Sequence, residues 1–261
     1  ETERDFCSFD AMESLNTNTN WCSNGESSWA IWQLVDSILP TGGFAHSMGL
    51  EAAVQIGSVS DSPSLHSFII SSLHNTSSLL LPFVYAASTH PSIERWELLD
   101  STIHVTLSNQ ISRRASISQG TALLRVSMSV FEEILPTLKA MKDKVRRSQE
   151  ENDKNDGTGS LIHLHHAPLF GMILGLLGMD TMVAQRAFLF INLRDLLSAA
   201  TRLGVVGPLE AAQMMHRVSG EAESILGRYA NKPVRDAYQT SPIIDVIQGV
   251  HDDLFSRLFR S

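Results

Sequence analysis

The side chains able to do chemistry fall in three short stretches. "HLHHAP" sets His163, His165 and His166 close together. Imidazole suits late first-row metals, but a firm site wants carboxylates or thiolates beside it in compatible geometry. No His-Glu-x-x-His pattern is present. On a helix His163 and His166 share a face and His165 does not. The stretch therefore reads first as polar side chains at a loop-to-helix junction, with the three histidines as weak metal candidates. "ILPTGGFAHSMGLE", residues 38–51, is rich in glycine. A phosphate-binding loop needs a Lys-Ser/Thr pair after its last glycine, and none is present. Gly42 and Gly43 instead read as a tight turn at a helix end, which leaves Pro40 and Phe44 suited to a contact site. "NQISRRASISQG" carries Arg113 and Arg114, fit for surface ion pairs or for a partner's carboxylate or phosphate. No Gly-x-Ser-x-Gly elbow exists, so a serine hydrolase has no support.

The elements that hold these stretches are helical by pattern. The 261 residues are 43% hydrophobic with a net charge of −8, which argues against nucleic acid as the main partner. Cys7 and Cys22 are the two cysteines, and they offer neither a disulfide framework nor a thiolate metal site. No apolar run reaches membrane-spanning length. Residues 1–28 are rich in Ser, Asn, Thr and Glu and read as a disordered leader. From Trp29 the spacing turns helical, with Trp29, Trp32, Leu34 and Val35 assigned to one face. A second helix is expected over 45–56. "DSPS" at 61–64 starts a third helix, which Pro82 ends or kinks.

Further along, Ile93, Trp96, Leu99, Ile103 and Leu107 form one stripe. A helix from Arg113 is expected to break near Gly120. Residues 142–160, highly charged and then small and polar, are the best internal loop. "APLFGMILGLLGM" reads as a buried helix. Residues 181–203 carry Phe188, Ile191, Leu193 and Leu196 as a core stripe. Pro208 and Pro242 start the last two helices, the second with Ile243, Val246, Ile247, Val250 and Leu254 facing inward. Period-2 alternation is absent. The expectation is an all-α, single-domain bundle over 29–261, with 142–160 as a flexible charged loop.

"LVDSILPTGGFAHSMGLE" is similar to the signature of the urease accessory protein F (UreF) family. "LSNQISRRASISQG", "HAPLFG", "FLFINLRDLLSAATRLGVVGPLEAAQ" and the blocks "SPIIDVI" and "HDDLFSRLFRS" resemble its later motifs, in family order. They cover most of 29–261, and "RLGVVGPLE" resembles the eukaryotic branch, plant or fungal. The resemblance implies an all-helical, non-enzymatic accessory protein that helps assemble urease's dinuclear nickel centre. It implies binding to UreD (also called UreH), recruitment of the nickel-carrying GTPase UreG, docking on apo-urease, a homodimer and a cytoplasmic setting. It implies no tightly bound cofactor, the nickel being handled by the complex.

By the same resemblance Pro40, Gly42, Gly43 and Phe44 belong to the recruitment surface, where the family often has Tyr at the position of Phe44. Arg202 falls on a basic position of the same surface, often Lys in bacterial members, and the two are not equivalent at bidentate sites. Arg257 is the basic residue of "SRLF", in a segment expected to order when UreD binds. His46 is assigned to fix the turn by hydrogen bonding, and Glu51 to cap or pair locally. Two other roles stay open. One is a regulator of UreG that presents Arg202 or Arg257 as an arginine finger. The other is a direct nickel carrier using His163, His165 and His166.

Overall fold

The computed structural model describes residues 26–154 and 161–261. Among them are eleven α-helices and no strand. The helices are α1 (Glu26–Val35), α2 (Leu50–Gln55), α3 (Ser62–Leu79), α4 (Leu81–Thr89) and α5 (Ile93–Thr106). They continue with α6 (Gln110–Phe131), α7 (Thr137–Lys154), α8 (His166–Leu176), α9 (Thr181–Arg202), α10 (Pro208–Tyr229) and α11 (Pro242–Gly249). The expected leader, with Cys7 and Cys22, lies outside the described residues up to residue 25, and α1 takes in residues 26–28.

Helix starts reflect side-chain chemistry. Asp61 and Ser64 form a reciprocal capping box at α3, with Pro63 in the first turn. Asn109 Oδ1 accepts from the amides of Ile111 and Ser112 at 2.8 and 3.1 Å and starts α6. Pro82, Pro208 and Pro242 each occupy the first turn of a helix, where a missing N–H costs nothing.

The apolar α8 is the hub. Its residues His166 to Leu174 are all buried, and α4, α5, α6 and α9 pack around it. Gly171 and Gly175 let the α4 backbone come close: a Cβ on Gly171 would stand 2.3 Å from the Val84 carbonyl oxygen. Next, α3 and α10 close over α9, α7 lies on α6, and α2 and α11 pair at one end. One cluster of buried apolar side chains runs from Ala30 to Phe259.

Five expectations are corrected. Residues 142–154 of the expected charged loop are helical; α7 buries Leu138, Met141, Val145 and Ser148 at three- and four-residue spacing under a charged outer face. Residues 155–160 lie outside the described residues. α6 runs unbroken through Gly120, because that glycine is there for close approach: a Cβ would stand 1.8 Å from the Leu164 carbonyl oxygen. The helix expected over 45–56 shortens to α2, because Met48 and Gly49 have φ of 52° and 85°. Trp29 and Trp32 are 77% and 66% exposed while Ala30 and Leu34 are buried, so α1 turns the other face inward. On α11, likewise, Ile244 and Ile247 are buried while Ile243 and Val246 are exposed.

Candidate functional site

The elbow after α1 is built on α9. Gly42 takes φ 79°, a left-handed conformation that L side chains rarely adopt. A short 3-10 turn, Gly43–Ala45, comes next. Gly43 lies against α9, and a Cβ there would sit 2.1 Å from Asp195 Oδ2. Arg194 locks the corner: Nε and Nη2 donate to Asp195 Oδ1 at 2.9 and 2.7 Å, and Nη1 donates to the Val35 carbonyl at 2.5 Å. Its guanidinium also lies 4.8 Å from the centre of the Phe44 ring. Burial pushes the Asp195 carboxyl up to about 6, against the pull of Arg194. Arg202, at the end of α9, donates to the Phe44 carbonyl and lies 4.3 Å over the Phe259 ring. Pro40 and Arg202 are exposed and Phe44 is half-buried.

The segment 256–261 is clasped onto this elbow by groups far away in sequence. Glu51, buried on α2, accepts from the amides of Leu258 and Phe259 at 2.6 and 3.1 Å. Gln55 Nε2 donates to the Ser256 carbonyl at 2.9 Å, and the Arg260 amide donates to the Ala45 carbonyl at 2.8 Å. The Ser47 amide and hydroxyl both donate to the Ser261 main-chain oxygen, at 2.6 and 3.0 Å. His46 Nδ1 meets Ser261 Oγ at 2.5 Å. Burial, with the Arg260 charge and His251 nearby, lowers the His46 pKa to about 4, so the ring is neutral at pH 7. His46 and Glu51 thus do more than tidy a local turn; Glu51 in particular acts on a strand of chain across the fold. The exposed flank of the segment carries Phe255, Arg257 and Leu258.

The predicted residues therefore converge in part. Pro40, Gly42, Gly43, Phe44 and Arg202 form one corner, with Gly43 facing inward rather than outward. Arg257 stands on the clasped segment and pairs with Asp252 at 3.3 Å. Asp252 also receives Arg114 at 2.5 Å, while Arg113 donates twice to the Leu107 carbonyl at the end of α5, at 3.0 and 2.6 Å. Arg194 and Asp195 were missed from sequence. The available signal was an adjacent charged pair inside the otherwise apolar "FLFINLRDLLSAA".

The histidines divide differently from the expectation. Residues 163–165 lie before the helix and α8 starts at His166, so the helical face argument does not apply. Leu164 has φ 65°. Asp100, buried on α5, supports that turn by accepting the amides of His163, Leu164 and His165 at 2.7, 3.3 and 2.6 Å. His163 and His165 then meet His104 of α5. His166 points elsewhere, against Phe170 and Phe188, with burial lowering its pKa to about 4. Ser116 Oγ contacts His165 Nδ1 at 3.0 Å, but Asp100 serves backbone amides rather than the ring, so this is not a nucleophile triad. A cleft of about 320 Å3 between α3, α6 and α11 is lined by Ser72, Asn75, Asn109, Ser112, Ser116 and His166.

Among the described residues, no group of three His, Cys, Asp or Glu stands ready to hold a metal ion. No described helix is long and apolar enough to cross a membrane.

Comparison with known proteins agrees with the motif pattern. The family model described as UreF matches residues 59–219. The chain is similar to urease accessory protein F of Arabidopsis thaliana, 52% identical over 89% of this chain and 92% of that protein. It is 47% identical to urease accessory protein F of Oryza sativa subsp. japonica, over 90% of this chain and 86% of that one. Urease accessory protein UreF of Trichodesmium erythraeum is 28% identical over 88% of this chain and 95% of that protein. Motif order, helical fold and these similarities together place the chain in the UreF family, on its eukaryotic side.

Proposed function

We propose that this chain is a non-enzymatic scaffold in urease maturation, binding UreD and recruiting the GTPase UreG. The resulting complex docks on apo-urease in the cytoplasm, with two copies of this chain. The observation that carries the reading is the corner where Phe44, Arg202 and the segment 256–261 meet. An exposed proline, a half-buried aromatic ring and an exposed guanidinium on a rigid turn make an anchor of the kind that dominates interface energetics. The exposed Phe255 and Leu258 beside it extend the apolar surface.

The same geometry disfavours the GTPase-regulator role. An arginine finger must reach a partner's phosphates, whereas Arg202 is bound to the Phe44 carbonyl and Arg257 to Asp252. Capture of purified UreD, then of UreG with GTP, tests the reading. Phe44→Ala and Arg202→Ala are expected to weaken UreG retention about tenfold, ~1.4 kcal/mol, with helicity intact. Arg257→Ala acts on UreD retention. A wild-type chain that retains neither partner overturns the scaffold role. UreG turnover accelerated by the assembled complex, and lost in Arg202→Ala or Arg257→Ala, restores the regulator instead.

A further inference from the structure

The cleft between α3, α6 and α11 takes no part in the docking corner, yet the groups facing it keep unused hydrogen-bonding capacity. It holds about 320 Å3, near the lower bound for small-molecule sites and room for roughly ten waters. Ser72 lines its α3 wall and is 6% exposed, and its Oγ has no partner among the described residues. Serines inside helices commonly donate back to a carbonyl one turn earlier. Ser78 of the same helix does so, to His74 at 2.9 Å, and Ser72 does not. His166, on the α8 side, is also buried. Its ring touches Phe170 and Phe188 and makes no hydrogen bond to another described residue. A buried polar group left unpaired costs stability unless something else satisfies it.

Carboxamides supply most of the remaining polar wall, and each is half used. Asn75 Oδ1 accepts the Thr240 amide at 3.0 Å, which leaves the NH2 group. Asn192 Nδ2 donates to the Phe188 carbonyl at 2.8 Å, which leaves Oδ1. Gln248 Oε1 accepts from Ser112 Oγ at 2.6 Å, which leaves Nε2. Charge is nearly absent. Among the described residues no Lys or Arg lines the cleft, Asp245 is its carboxylate, and burial keeps His166 neutral at pH 7. A phosphate or carboxylate would enter without a counter-charge. Aromatic faces are at hand, with Phe188 fully buried and Tyr238 exposed at the solvent edge.

We propose that this cleft binds a small uncharged heterocycle with a donor beside an acceptor on one edge, of the nucleobase or nucleoside class. Such an edge pairs with a carboxamide side chain through two parallel hydrogen bonds, and its flat face packs on aromatic rings. Ser72 and His166 then gain the partners they lack. The site rests on no step of the docking reading, because it is tested with small molecules alone and no protein partner.

Saturation-transfer NMR on the full 261-residue chain uses adenosine and uridine as probes, with their 5′-monophosphates and glucose for comparison. Saturable binding of at least one nucleoside is expected. Its monophosphate should bind at least about fivefold more weakly, for want of a cation in the cleft, and glucose should not saturate. Ser72→Ala and Gln119→Met, the second at a half-buried lining residue, should each weaken the nucleoside about fivefold. Ser72→Ala removes an unpaired hydroxyl, so its denaturation midpoint should stay level or rise. Gln213→Met, at an exposed position of α10, should change nothing. If neither nucleoside saturates, the cleft holds water only and the proposal falls. Wild-type affinity in both folded variants overturns it too, as does a monophosphate or glucose that binds as well as the nucleoside.

Discussion

Two regions of the molecule solve the same problem with the same group. At the histidine turn, buried Asp100 accepts three backbone amides of residues 163–165. At the clasp, buried Glu51 accepts two backbone amides of residues 258–259. Each carboxylate gathers a distant piece of irregular chain that no helix could satisfy. What the gathered chain leads into differs. Asp100 holds the entry to α8, whose next residues are all buried. Glu51 holds a segment whose neighbours Phe255, Arg257 and Leu258 face outward, with Phe259 and Ser261 as its buried points. The first arrangement is part of the core; the second is a fastening at the surface.

That contrast sets an order of effects. Asp100→Ala should be the most damaging change, because three buried amides and a left-handed leucine lose their support. We expect a loss of roughly 4 kcal/mol in urea denaturation.

Acid comes next, and it reaches both regions. Burial lowers His165 to about 3 and His166 and His46 to about 4, against 6.5 when unfolded. The unfolded chain therefore takes up these protons first. Stability is whole above about pH 6.5 and falls as pH drops toward 4. Asp195, raised to about 6, acts in the opposite sense, since the folded chain takes up its proton first. Asp100, also raised by burial, acts with Asp195, while His74, His104 and His163 act with the other histidines, so the histidines prevail and leave a net loss on the order of 2 kcal/mol per pH unit between pH 6 and 4. Denaturation midpoints at pH 7, 6 and 5 check this, and a flat profile would mean that the rings reach water.

Glu51→Ala should cost least, about 1–2 kcal/mol. Hydrogen exchange should quicken at the amides of Leu258, Phe259 and Arg260 while α8 stays protected. A loss as large as that of Asp100→Ala would erase the distinction between core and fastening.

Much of the molecule is legible where a local rule decides. Asp61 with Ser64, and the prolines at 63, 208 and 242, mark helix starts through groups a few residues apart. The stripe Phe188, Ile191, Leu193 and Leu196 on α9 is buried as its spacing predicts. Sequence patterns fall silent where the deciding partner is far along the chain. Nothing near Glu51 announces Leu258, and nothing near His163 announces His104. Trp29 and Trp32 mislead because size suggests burial, whereas Ala30 and Leu34 fit the close surface of α9. The charge of residues 142–154 hid a helix whose few apolar positions are enough to seat it, helped by Lys144 pairing with Glu97 at 2.6 Å. Of the corner at Phe44 and Arg202, the turn is visible, but Arg194 and Asp195 look like any charged pair until Gly43 is seen to rest on Asp195.

The glycine seam between α4 and α8 has a consequence for how the chain is made. Gly171 and Gly175 meet Val84 and Ser88 across a long stretch of sequence. During synthesis α4, with nearly every side chain destined for the interior, must wait until α8 leaves the ribosome. Fragments that stop before residue 176 should be sticky and insoluble, so the first helices cannot serve as an independent module.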